Sequence, residues 1–307
     1  MRQRRLGLVF TLSGAALFGT LGVFGKAAVG VDLTVATLLA SRFVAATVLL
    51  WGLLLVTGRF IRLPVRTVGV EVGLGAVYGI MSVAYFESLA WLSAGVAALL
   101  LFTYPVQVMA VSSVVLDEPI TLPKLSALLA TTAGVALVVL GDEITIALTG
   151  VLLVAVASLC YTVYTMGTRA MVADIDPLVH VAYVFLGVTA SILGYGVATR
   201  SLAMPEGAAG WWLIVGITVF GTLLPILLYT EGLTRIKASR ASIASTSEPL
   251  TTVLLGVAFL GEILTVSIAV GAVLIIFGVV LTAPSVERTI RRRLEGVGVD
   301  AAVERER

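Results

Sequence analysis

Residues 85–118 read YFESLAWLSAGVAALLLFTYPVQVMAVSSVVLDE, and residues 229–262 read YTEGLTRIKASRASIASTSEPLTTVLLGVAFLGE. At one constant offset of 144 residues they pair Tyr85 with Tyr229, Glu87 with Glu231, Leu89 with Leu233, Ala94 with Ala238, Pro105 with Pro249, Leu116 with Leu260 and Glu118 with Glu262. The same offset carries on to Ala127 with Gly271 and Gly134 with Gly278. A single offset held over such a length marks an internal repeat.

The solvent around that repeat is lipid. Of 307 residues 59% are hydrophobic and only 12% charged, and the mean hydropathy is +1.09. A water-soluble domain of that composition would expose large apolar patches, so the chain reads as an integral membrane protein. The net charge is only +2 and the arginines gather between apolar blocks, which argues against nucleic acid as a partner. One cysteine, Cys160, excludes an intramolecular disulfide and a cysteine-based metal cluster. Arg2, Arg4 and Arg5 precede an apolar run that continues past Phe24 to Lys26 without a small-residue cleavage site, so it reads as a retained first helix.

A window of about 19 residues places helices near 6–26, 33–57, 67–90, 94–116, 122–140, 148–170, 178–199, 211–233, 238–260 and 264–283. The expected fold class is all-α integral membrane, with ten transmembrane helices as two five-helix repeats, at 1–142 and 143–284, then a charged cytoplasmic tail at 285–307. Five is odd, so the second repeat must cross in the opposite sense, the inverted architecture of many alternating-access carriers. With the N-terminus inside, Arg59, Arg62, Arg66, Lys124, Arg169, Arg235, Lys237, Arg240 and the tail arginines are cytoplasmic, leaving only Lys26 and Arg200 outside. That asymmetry puts both termini in the cytoplasm.

Within the apolar run Ala238 to Leu260 stands Glu248, about 15 Å from either end at 1.5 Å per residue. An intramembrane carboxylate is costly and by default functional. Ser245 and Thr252, at spacings of three and four, share its helix face, with Ala241 one turn earlier. Protonated, Glu248 sheds most of its desolvation cost; ionised, it needs a cation such as a substrate amine. Protons are thus a candidate coupling ion, and the competing reading is a neutral acid holding two helices in register. Pro105, Pro249 and Pro225 each remove a backbone donor at membrane depth and read as hinges or packing bends. Their freed carbonyls are expected to be re-satisfied by neighbours rather than by substrate.

These residues resemble the drug/metabolite transporter superfamily, specifically its ten-helix EamA-type members, over roughly residues 8–283. The resemblance rests on Glu87-Ser-Leu89, Ala94, Ala97-Ala98, Pro105, Asp117-Glu118 and Gly134, on the echo Glu231-Gly-Leu233, Ala238, Glu248-Pro249, Gly261-Glu262 and Gly278, and on Arg42-Phe43. It implies a central cavity lined by helices one, three, four, six, eight and nine, with two and seven peripheral. It also implies export of small metabolites, often amino acids or related amphipathic compounds, across the plasma membrane.

Around Pro105, Thr103, Tyr104 and Gln107 form a polar cluster, and Tyr104 occupies the repeat position of Glu248. A phenol facing an acid would suit a ligand with two chemically different ends. Tyr78 and Tyr85 pair at the repeat offset with Thr222 and Tyr229, and the sixth helix adds Tyr161, Tyr164 and Thr168. These tyrosines read either as pocket wall or as core and interface residues, and Trp211 and Trp212 as an interface belt. Arg42 is expected to bond backbone carbonyls or snorkel rather than pair with Glu248. Glu231 precedes Arg235 by four residues and reads as a local ion pair. Glu71 and Glu87 are expected to reach solvent at opposite ends of helix three, and His180 to sit interfacially beside the Asp176-Pro177 helix start. Glu118 and Glu262 are placed to cap the next helix or latch a gate. Small residues at Gly75, Gly79, Ala94, Ala98 and Ala127 predict close helix packing.

A secondary transporter exporting a small, partly polar metabolite by alternating access is the leading reading, with an uncoupled facilitator or uptake carrier of the same fold as the alternative. No GxxxxGK[ST] loop implies ATP, and no cofactor is expected. An enzyme is disfavoured because the chain has no HExxH, no serine–histidine arrangement and a single histidine. A membrane sensor or scaffold would need no central polar pair. The expected partners are the lipid bilayer and a small-molecule substrate.

Overall fold

Helices account for the regular structure of the computed structural model, which describes residues 2–115, 122–140, 147–171, 175–233, 235, 245 and 247–281, with no strand among them. The charged tail, the 142/143 repeat boundary, Asp117, Glu118, Lys237, Ala238, Arg240 and Ala241 lie outside the described residues.

The first apolar run is α1 (Arg2–Phe18) and α2 (Thr20–Val29), followed by α3 (Val35–Val56) and α4 (Val65–Ser88). The fourth run is split into α5 (Ala94–Leu101) and α6 (Tyr104–Val115), and α7 (Leu122–Leu140) ends the first half. The second half opens with α8 (Leu148–Met171) and α9 (Pro177–Ala198). Its third run is α10 (Gly207–Thr218), a π-helical turn (Val219–Leu223) and α11 (Leu224–Leu233). Then come α12 (Ser247–Leu260) and α13 (Val266–Leu281). Among the described residues, seven runs are long and apolar enough to cross a membrane, and three more apolar helices are shorter.

Local chemistry sets these boundaries. Thr34 and Ser93 accept from Thr37 N–H and Val96 N–H to start α3 and α5, and Asp176 with Pro177 starts α9. Gly261, at φ +65°, ends α12 in a left-handed turn that a side chain would strain. Pro105 cannot supply an N–H to Leu101 O, and the run breaks there; Ser158 Oγ donates to that carbonyl instead, at 3.4 Å. Pro225 likewise leaves Gly221 O without its helical donor, next to the π turn, and Arg42 Nη2 reaches it at 3.4 Å. Neighbouring side chains thus do re-satisfy the freed carbonyls at these two prolines.

Apolar burial does not favour one helix neighbour over lipid, so close backbone approach decides the packing. On α4 against α9, a Cβ at Gly75 would fall 2.1 Å from Val184 O, and one at Gly187 2.0 Å from Val72 O. On α7 against α13, a Cβ at Gly134 would meet Gly271 O at 2.7 Å, and one at Gly278 Ala127 O at 2.8 Å. The helix neighbours also correspond between halves: α4 packs on α8 and α1 on α11, α5 and α6 pack on α8, and α12 packs on α1 and α2.

Candidate functional site

Where α1, α2, α3, α4, α5, α8 and α12 converge, they line a cavity that is open to the outside. Both halves build it. Its polar wall is Arg42, Tyr78, Ser82, Tyr85, Tyr161 and Glu248, with Thr252 beside Pro249. Its apolar wall includes Phe18, Leu21, Met81, Phe86, Leu101 and Phe102.

Glu248 is presented by a seam between α12 and the α1–α2 junction. A Cβ at Gly19 would meet Glu248 O at 2.7 Å, so only glycine admits this approach. Thr252 Oγ1 binds Gly19 O at 2.9 Å and Glu248 O at 3.1 Å, fixing the turn that carries the acid. The Glu248 side chain remains partly accessible on the cavity wall.

Aromatic rings form the facing wall. Tyr78 packs edge-on against Tyr161 and Tyr164, with centroids 6.1 and 4.9 Å apart. Tyr104 lies behind Tyr161 at 4.2 Å, and Tyr164 stacks on Tyr161 at 6.0 Å. Tyr104 and Tyr164 therefore support the wall rather than line it. Tyr229 pairs with Ser245 at 2.9 Å and is not part of the cavity lining.

Thr103 and Gln107 are occupied elsewhere. Gln107 Nε2 donates to Ser158 Oγ at 2.7 Å and Thr162 Oγ1 donates to Gln107 Oε1 at 3.1 Å, while Thr103 pairs with Ser158 at 3.1 Å. That network ties α6 to α8. Thr222, fully buried, donates to Ile217 O and accepts from Arg42 Nε at 2.6 Å, so it acts behind Arg42.

Three sequence expectations need correction. Arg42 does bond a backbone carbonyl but does not snorkel: it is 2% exposed and lines the cavity, so the second helix is not merely peripheral. Glu71 and His180 do not reach solvent or the interface. They are 0% and 2% exposed, with Nδ1 2.7 Å from Glu71 Oε2 across the α4–α9 seam. The geometry falls outside that of a hydrogen bond, so the contact is a close approach of ring nitrogen and carboxyl oxygen. Glu87 accepts from Tyr195 Oη at 2.9 Å instead of pointing freely to water. The Glu231–Arg235 ion pair is present, and Trp211 and Trp212 are 48% and 73% exposed, as belt residues would be.

Outside the cavity lining, Glu262 accepts from Ala94 N–H, and from Gly95 N–H at 3.1 Å, at the start of α5, whose Ala98 and Leu101 line the cavity. It caps a helix of the other half rather than the one that follows it. Sequence spacing could suggest an unpaired acid at that turn but not its distant partner.

Against known proteins, the model of the EamA-like transporter family matches residues 5–140 and 148–283. The chain belongs to this family. An uncharacterized transporter of Archaeoglobus fulgidus is 30% identical over 284 residues, covering 91% of this chain and 97% of that protein. The uncharacterized transporter YwfM of Bacillus subtilis is 32% identical over 152 residues, 48% of this chain and 50% of its own length. A solved crystal structure shares the fold, with TM-score 0.66 and 18% identity over 91% of this chain and 98% of that one. The protein is therefore a multi-pass membrane transporter of the EamA and drug/metabolite type with two family repeats, and the cavity is the candidate site on this transporter.

Proposed function

We propose that this EamA-family protein is a secondary transporter that exports a small, partly polar metabolite, such as an amino acid or a related amphipathic compound, by alternating access. Ten spans cross the plasma membrane as two units, 1–142 and 143–284, the second inverted, with both termini cytoplasmic. The corresponding helix neighbours in the two halves support that arrangement.

The observation that carries the reading is a cavity walled by both halves with a membrane-embedded carboxylate, Glu248, on its face. Such an acid needs water, a proton or a cationic ligand. Glu248, Tyr78, Tyr161 and Thr252 contact the cargo directly; Tyr104, Tyr164, Thr222 and Tyr229 with Ser245 hold the wall, and Thr103 with Gln107 fixes the broken helix around the Pro105 hinge. Pro225 and Pro249 complete the set of bends about which the halves move. Proton exchange at Glu248 couples export to the membrane potential, where one charge crossing 100 mV supplies about 2.3 kcal/mol.

The test compares metabolites exported by cells with and without the protein, followed by liposome flux of the leading compounds across pH. Wild-type flux is expected to depend on pH and Glu248→Gln to lose that dependence. Full transport with unchanged pH dependence in Glu248→Gln removes the coupling and leaves a facilitator.

A further inference from the structure

Among the described residues, Arg42 is a charge without a counter-charge. It lies within α3 at 2% exposure, yet its side chain forms part of the cavity wall. Its bonds go to groups outside the cavity lining, Nε to Thr222 Oγ1 at 2.6 Å and Nη2 to Gly221 O at 3.4 Å. Its carbon face rests 4.6 Å from the Phe43 ring centre and 5.9 Å from that of Phe86. A guanidinium has five N–H donors, and both of these partners are neutral. Among the described residues no carboxylate comes within ion-pair distance of it, and Glu248, on the same cavity, does not bond to it.

A buried cation left unpaired is strongly unfavourable, so the arrangement is stable chiefly when something anionic joins it. We propose that Arg42 is the anion-binding end of the cavity and that the cargo must carry a carboxylate there, its amine directed to Glu248. This rests on the carrier reading of the cavity and narrows it: amine-only amphipathic compounds are excluded, and amino acids with an apolar side chain fit. The planar fork matches a carboxylate with two parallel bonds. Thr222 and the Phe43 ring already hold the guanidinium in place, so little freedom is lost when the ligand binds. Phe18, Leu21, Met81, Leu101 and Phe102 offer the side chain an apolar surface.

Three shape-matched probes separate the charges: L-phenylalanine, hydrocinnamate, which lacks the amine, and phenethylamine, which lacks the carboxylate. Binding is measured on the full chain in lipid nanodiscs, with counterflow in liposomes. Wild type is expected to bind L-phenylalanine best and hydrocinnamate next. Arg42→Gln is expected to weaken both on the order of tenfold or more and leave phenethylamine unchanged. Arg42→Lys, which keeps the charge but not the fork, falls between. Thr222→Val removes the Nε partner while keeping the charge and weakens the same two probes by a smaller factor, so the test survives a poorly folding Arg42→Gln. A structural role for Arg42 would move all three probes together, and that result overturns the proposal. A wild type that binds the amine at least as well as the carboxylates, or none of the three, overturns it too. Failure of the carrier reading shows separately, as no protein-dependent flux of any component of a labelled metabolite extract.

Discussion

Removing the Glu262 carboxylate should open one end of the cavity. Gly261 turns the chain out of α12, Glu262 N–H closes the turn onto Gly256 O at 3.1 Å, and the side chain reaches back across the seam to α5. There it accepts from Ala94 and Gly95 N–H while Ser93 accepts from Val96 N–H, satisfying the first turn of α5. Hydrogen bonds to a charged group contribute about 1.5–3 kcal/mol each when buried, and a carboxylate at a helix N-terminus adds about 0.3–1 kcal/mol. Glu262 is only partly buried, and water replaces some of what is lost, so about 2 kcal/mol is the expected net loss for Glu262→Ala. That corresponds to roughly a 30-fold rise in the population open at this end. The assay places a single cysteine at Ser82, a buried cavity-lining position, in a Cys160→Ala background, and follows labelling by a membrane-impermeant thiol reagent from the side that carries residues 89–93. Labelling should accelerate about 30-fold in Glu262→Ala and by an intermediate factor in Glu262→Gln, which keeps one acceptor. An unchanged rate, or an equal increase from the opposite face, refutes the clasp.

Three further outcomes follow from the packing. His180→Ala should lower the thermal denaturation midpoint in detergent, because it leaves the buried Glu71 carboxyl without its close polar neighbour, at a cost of about 1–3 kcal/mol; Glu71→Leu with His180→Leu should recover most of that loss, and a double variant as unstable as the single one disproves the pairing. Gly75→Ala drives a methyl to 2.1 Å from Val184 O and should lower the same midpoint by the equivalent of about 1–3 kcal/mol, whereas Gly73→Ala, with open space around it, should be neutral or mildly stabilising. For Asp176, burial pushes the carboxyl up, but the Arg59 guanidinium and the N–H groups of Leu178 and Val179 outweigh it and hold it below the usual carboxylate range. The folded form thus binds its proton less readily than the unfolded one, so this cap stabilises fully above about pH 4 and fades as pH falls further. Acid titration of the melting midpoint should lose that step in Asp176→Asn.

The features that survive reading in one dimension are those whose cause is local or periodic. The 144-residue offset, the apolar runs, the proline breaks at 105 and 225, the small residues of α4 and the Glu231–Arg235 pair all follow from spacing along the chain. Contacts between distant segments do not. Glu71 and His180 belong to different halves, and each taken alone near a helix end looks solvent-bound; that intramembrane charges tend to pair with one another was the one usable signal. Arg42 bonds a backbone carbonyl, as expected, but its partners Gly221 and Thr222 are 179 and 180 residues away, so spacing along α3 does not place it on the cavity wall. Thr103 and Gln107 looked free because Ser158 and Thr162, their partners, are more than fifty residues away.

The positions at which the two repeats agree differ in kind from those at which they part. Pro105 breaks a helix, Gly134 and Gly278 admit close helix contacts, and Glu262 caps a helix start; the offset repeats the same residue types at Pro249 and Glu118. The same offset pairs Tyr104 with Glu248, Tyr78 with Thr222, and Arg42 with Leu186. In the proposed inverted arrangement, a frame that rocks towards either face needs equivalent bends and clasps in both halves, since an imbalance there would bias one state. A small molecule with an acid at one end and an amine at the other has no such symmetry. Its two ends need different walls, so each half contributes one charge of its own: the arginine from the first, the carboxylate from the second. These differences at and behind the cavity wall give the pocket a polarity, and exchanging the two charges, as Arg42→Glu with Glu248→Arg, should impair binding more than either neutral substitution because it confronts each end of the ligand with its own sign.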